Sequence, residues 1–118
     1  MTVMSLLAAI ARQEGFFVAG SRPNRNNNPG DIEYGRFAIA HGAVGTDDRF
    51  AIFSNASAGF AAMAALFRSA YLGLTIQQAI AKWAPSSEND VATYVDHVCE
   101  WTGLTPDTVI DDYLELAA

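Results

Sequence analysis

Residues Thr2–Gly15 read TVMSLLAAIARQEG. Val3, Leu7, Ile10 and Glu14 recur at helical spacing, so all four project from one face of a helix running from Thr2 to Gln13, which Gly15 ends. The last member of that apolar stripe is a carboxylate. Partial desolvation and the negative end of the helix dipole would both disfavour its ionised form, which suits a general acid near neutral pH. From these residues alone a second reading stays open, in which the helix frays at Gln13 and Glu14 faces water.

Downstream, Gly20–Gly30 (GSRPNRNNNPG) reads as an ordered loop. Pro23 and Pro29 oppose helix, while Asn and Gly supply turn conformations and side-chain bonds to backbone. Ile32–Ala40 and Arg49–Phe53 carry short alternating stretches (Phe37/Ile39 and Phe50/Ile52) around the turn-rich His41–Asp48, which predicts a small β-hairpin. Four helices are expected after it. Ser57 is the predicted N-cap of the first, with Phe60, Met63, Ala64, Phe67 and Tyr71 inward and its end at Gly73. Thr75–Gln78 has capping-box spacing for a helix through Ile80 and Trp83, stopped by Pro85. Ser87–Asp90 opens a third, with Val91, Tyr94, Val95 and Val98 on one side, ending near Gly103. Thr105–Asp107 opens a last, with Val109, Ile110, Tyr113 and Leu114 inward. The expected architecture is α+β and mainly helical: one domain over residues 1–118, with a hairpin lobe between the first helix and the later ones.

Composition sets limits on function. Half of the 118 residues are hydrophobic and 17% are charged, as in a globular domain with one core. The net charge of −6 argues against a nucleic-acid binder. Charge is uneven: Arg12, Arg22, Arg25, Arg36 and Arg49 balance Glu14, Asp31, Glu33, Asp47 and Asp48, whereas every Asp, Glu, Lys or Arg after Trp83 is acidic. The single cysteine, Cys99, allows no intrachain disulfide. The opening segment lacks the positive region and cleavage site of a signal peptide, and no apolar run reaches membrane-spanning length, so cytoplasmic synthesis without membrane insertion is expected.

Elimination narrows the chemistry. His41, His97 and Cys99 fall in no metal-ligand spacing, nothing resembles a nucleophile elbow, and Gly42 and Gly45 precede neither a lysine nor a helix as a phosphate loop would require. No metal or cofactor is expected. What remains is carboxylate chemistry on a large neutral substrate.

The segments Ile10–Phe16, Arg25–Ile32 (RNNNPGDI) and Phe50–Phe53, with Gly59, Trp83-Ala84-Pro85, Glu88-Asn89-Asp90 and Tyr94, resemble a group of phage and prophage proteins. These are small lysozyme-like lysins, often labelled virion structural proteins, related in fold to lytic transglycosylases and goose-type lysozymes. T-even phage lysozymes likewise carry their catalytic glutamate before a glycine at the end of the first long helix, with a hairpin after it. The resemblance implies a lysozyme-like fold and cleavage of the β-1,4 bond between N-acetylmuramic acid and N-acetylglucosamine in peptidoglycan. Glu14 would protonate the leaving oxygen, as glycoside cleavage through an oxocarbenium-like state requires.

The T-even pattern has an Asp soon after its Glu-Gly, but Phe16–Gly30 contains no acid. Asp31 is the nearest candidate for a second catalytic carboxylate, followed by Glu33, Asp47 and Asp48. A lytic transglycosylase would need only Glu14, since the muramic acid supplies its own 6-hydroxyl or N-acetyl group. Related folds also use a tyrosine of a later helix beside the acid, a role that falls to Tyr94, although the same residue belongs to an apolar stripe. Asn27 and Asn28 are candidates for binding sugar amides or for holding the loop, Tyr34 for stacking on a sugar ring, and Asp48 for positioning water or substrate. The expected partner is the peptidoglycan glycan strand, met in the periplasm by a monomer delivered through a holin or within a virion. The alternative is a non-catalytic virion or wall-binding protein that keeps the lysozyme shape. A peptidoglycan endopeptidase would need a metal or nucleophile site and ranks last.

Overall fold

In the computed structural model, which describes residues 4–111, helix α1 spans Leu6–Gln13. It starts later than the stripe predicts, because the Ser5 side chain accepts from the Ala8 N–H (3.2 Å) and fixes the N-cap there. Val3 lies outside the described residues. Leu7 and Ile10 are wholly buried. The far end does not fray: Gly15, at φ +87°, donates to the Arg12 carbonyl (3.1 Å) and Phe16 to that of Ala11 (3.0 Å), the paired bonds of a Schellman stop.

The predicted loop contains one regular turn, α2 (Arg22–Arg25). Pro23 is compatible with it because it stands in the first turn, where its missing N–H has no helical partner to lose. Strand β1 (Ala43–Asp47) pairs antiparallel with β2 (Phe50–Phe53), in register Asp47 with Phe50 and Ala43 with Phe53, around a bulge between Ala43 and Gly45. The hairpin is present, but its first strand is misassigned by the alternation. Arg36–Ala40 forms a short helix, α3, in which Phe37 stacks on His41 one turn later (4.2 Å), a contact that helical spacing provides. The turn-rich segment supplies β1 instead, and Asp48 takes the left-handed conformation (φ +56°) at the hairpin tip. Ile32–Tyr34 lies along the other edge of β2: Ile32 accepts from the Ala51 N–H (2.9 Å), and Tyr34 donates to the Arg49 carbonyl (2.7 Å).

Among the described residues three helices follow: α4 (Ala56–Ala70), α5 (Ile76–Trp83) and α6 (Val91–Thr102). Asn55 rather than Ser57 caps α4, its side chain accepting from the Ala58 N–H at 2.8 Å. The Thr75–Gln78 capping box is complete, and Gly103 ends α6 at φ +77°. No helix opens at Thr105–Asp107. The Pro106 and Thr108 carbonyls instead accept from the Gln77 and Ile76 N–H groups (3.0 and 2.9 Å), which no residue within α5 can satisfy. Val109 bridges Thr75, and Ile110 is buried. Tyr113 and Leu114 lie outside the described residues.

The result is a small, mainly helical α+β fold. Its core joins Leu7 and Ile10 of α1 to Met63 and Phe67 of α4, Ile76 and Ile80 of α5 and Val98 of α6. Among the described residues, no helix is long and apolar enough to cross a membrane.

Candidate active site

Because α1 stops cleanly, its stripe ends on a fixed carboxylate: Glu14 is the C-cap residue, in right-handed helical conformation. One of its oxygens, Oε2, accepts from the Tyr94 hydroxyl at 2.7 Å. Tyr94 sits on α6 and is 3% exposed, so this bond is made away from solvent. Burial raises the pKa of Glu14 and outweighs the opposing pull of the Tyr94 hydrogen bond; nearby Asp31 adds to the rise and Arg22 subtracts from it. Burial likewise raises the Tyr94 phenol well above its ordinary value, with the Glu14 charge adding to it, so Tyr94 stays a donor.

Glu14 lines a cleft of about 470 Å³. Facing it across the cleft are the loop and hairpin residues Arg22, Gly30, Asp31, Glu33, Arg49 and Phe50, and Lys82–Pro85 with Glu88 and Asn89 close the third side. The loop wall is built from side chains that replace missing backbone partners. Asn28 is wholly buried; its amide nitrogen donates to the Ile32 and Ala51 carbonyls (2.9 Å each), and its oxygen accepts from the Ile32 N–H (2.9 Å). Asn27 donates to the Phe53 carbonyl (3.0 Å) from a left-handed backbone. Gly59 lets this loop lie directly on α4, since a Cβ there would stand 2.0 Å from the Asn27 carbonyl oxygen. Gly30 does the same against Trp83, whose ring carbon would meet an added Cβ at 2.7 Å.

Within the cleft Asp31 is not a free carboxylate. Arg22 grips it through Nε and Nη2 (3.2 and 2.5 Å), with its guanidinium carbon 3.6 Å from the centroid of the Phe50 ring. Asp31 is also held at φ +50°, an unusual conformation for a residue other than glycine. At the other rim, Arg49 of the hairpin reaches Glu88 of the α5–α6 connection at 3.3 Å.

The cleft thus brings together Glu14, Asp31 and Glu33, with Tyr94 behind Glu14. It does not include Asn27, Asn28, Tyr34, Asp48 or Asp47, the last of which pairs with Arg25 at 2.9 Å. Asn28 is kept from the cleft by its burial and by bonds that use both of its amide hydrogens and engage its oxygen; Asn27 belongs to the same scaffold. Tyr34, 42% exposed, and Asp48, at the hairpin tip, do not line the cleft. Arg22, Arg49, Lys82, Glu88 and Asn89 line it although the sequence gives no periodic signal for them. Trp83 shows an edge to the cleft while packing on Phe67 (5.0 Å) and Tyr71 (5.6 Å), so it is both core and wall.

Chemically, this is a carboxyl whose proton affinity is raised by burial at the wall of a cleft. Tyr94 engages Oε2, and among the described residues no hydrogen bond between Oε1 and another side chain competes for a proton there. The Arg22–Asp31 pair contributes a fixed dipole nearby. Among the described residues no cluster of three or more His, Cys, Asp or Glu could hold a metal. No protein-family model matches this chain, and no curated protein matches it.

Proposed function

We propose that this protein cleaves the β-1,4 bond between N-acetylmuramic acid and N-acetylglucosamine in peptidoglycan, with Glu14 as the proton donor. The observation that carries the reading is the half-buried Glu14 carboxyl on a cleft wall, its pKa raised by burial and one oxygen anchored by Tyr94. A carboxyl whose proton affinity is raised, at the edge of a groove, suits the departure of a sugar oxygen.

The engagement of Asp31 by Arg22 favours a route in which Glu14 acts alone. Glu14 protonates the leaving glycosidic oxygen as its bond to C1 breaks. The resulting carboxylate then takes the proton of the muramic acid 6-hydroxyl while that oxygen bonds to C1, giving a 1,6-anhydro end. Asp31, its charge fixed beside the site, offsets the positive charge that develops on the ring.

The test is clearing of purified sacculi. Glu14→Gln, which keeps the shape and removes the acid, is expected to reduce clearing by about 10²-fold or more with an unchanged circular-dichroism spectrum. Undiminished clearing by that variant would sink the assignment. Mass spectrometry of the products from the wild-type protein is expected to find 1,6-anhydro ends; reducing muramic ends would instead give Asp31 the task of positioning water.

A further inference from the structure

Three consecutive residues at the end of α1 each meet a different residue of one face of α6. The Arg12 guanidinium lies over the Trp101 ring, 4.1 Å from its centroid. Gln13 Oε1 is 2.8 Å from His97 Nδ1, and Glu14 Oε2 is 2.7 Å from the Tyr94 hydroxyl. As the chain advances along α1 its partners recede along α6, from position 101 to 97 to 94, the spacing of one helical face. The His97 and Trp101 rings also stack, at 5.4 Å and 24°. Trp101 therefore has Arg12 and His97 against it, and His97 is fixed by both a ring contact and a hydrogen bond.

We propose that His97 is a positioning residue for Glu14: by donating from Nδ1 to Gln13 it clamps the last turn of α1 onto α6 and so aims the neighbouring carboxyl at the cleft. This deepens, and in its kinetic part rests on, the glycosidase reading above. Gln13 Oε1 can only accept, so Nδ1 must carry the proton whether the ring is neutral or charged. The Schellman stop fixes the Glu14 backbone within α1, whereas the seating of that last turn against α6 rests on the Gln13–His97 bond, the Arg12–Trp101 contact and the Glu14–Tyr94 bond. His97 makes the first of these and stacks directly on the Trp101 of the second. The groups that face Glu14 are Tyr94 from α6 and Arg22 and Asp31 from the opposite wall. Those that contact the His97 ring are Gln13 and Trp101.

His97→Phe keeps the stacking on Trp101 and removes the donor. His97→Asn offers an amide N–H near the place of Nδ1. On soluble peptidoglycan oligomers, His97→Phe is expected to lower kcat about ten-fold with KM within about two-fold, and His97→Asn to recover most of the loss. In parallel, the Glu14 carboxyl is followed by carbon-detected NMR through a pH titration. Its midpoint should fall towards an ordinary carboxyl in His97→Phe, as water reaches it, and return in His97→Asn. Should His97→Phe fail to fold, His97→Gln, whose amide sits too far out to replace Nδ1, takes its place. Wild-type kcat and an unmoved midpoint in the donor-less variant overturn the proposal, as does a His97→Asn protein that behaves like it. If the wild-type protein cleaves no glycan, the glycosidase reading falls and the titration alone decides whether His97 positions Glu14.

Discussion

The two facing walls of the cleft are held together by different forces. The helical wall, α1 against α6, stands on wholly buried Leu7, Ile10 and Val98, and its Glu14 carboxyl is fixed at the end of a regular element. The loop wall from Ser21 to Tyr34 has little regular structure beyond one turn, and buried Asn28 supplies the hydrogen bonds that a ladder would otherwise make. A carboxyl with a raised pKa needs a low-dielectric setting, which apolar packing gives. Its charged neighbours, Arg22 and Asp31, need hydration and mutual pairing, which a polar loop tolerates.

The contrast breaks first at Asn28. Asn28→Ala takes their side-chain partner from the Ala51 carbonyl and the Ile32 N–H, leaves the Ile32 carbonyl only its bond from the Ala51 N–H, and should cost about 3 kcal/mol in urea unfolding. A cost below about 1 kcal/mol would mean that the loop wall does not depend on those bonds. On the other wall Ile10→Ala should cost about 2–4 kcal/mol through the cavity it leaves, measured the same way.

Smaller effects separate the walls by sign. Tyr94 stabilises the Glu14 carboxylate, so Tyr94→Phe should raise the Glu14 pKa and move the alkaline limb of the pH–rate profile upward. Asp31 opposes ionisation of Glu14, so Asp31→Asn, which also suits the left-handed backbone, should move that limb downward. Shifts in the same direction would refute the opposed roles of the two residues.

The smallest effect is on stability. The folded state binds the Glu14 proton more tightly than the unfolded chain, so stability from this group is lost as pH rises from its ordinary value of 4.5 through the raised one. Glu14→Gln should therefore raise the melting temperature at pH 7, and the gain should shrink as pH falls below 4.5. A gain that persists in acid would point to packing rather than desolvation.

Legibility in the sequence follows the range of the interactions. The end of α1 at Gly15, the Thr75–Gln78 capping box and the stop of α6 at Gly103 are set by residues within one helical turn, and all three were readable. Alternation at Phe37 and Ile39 misled because a run of five residues fits both periods, and the contact that decided it, Phe37 on His41, is itself helical. Thr105–Asp107 carries a helix-start signal, yet its carbonyls are drawn to the open N–H groups of α5, a partner the local sequence does not reveal.

The sequence by itself determined that a carboxylate ends the buried stripe of the first helix, because periodicity and a helix-stopping glycine act over a few residues. Only the tertiary structure decided what that carboxylate is. Tyr94, 80 positions away, anchors it; Asp31 across the cleft is tied to Arg22; and Asn28, a candidate ligand by composition, is a buried support. A proton affinity is set by which groups exclude water and which charges lie within a few ångströms, and those neighbours are chosen by packing between elements far apart in the chain.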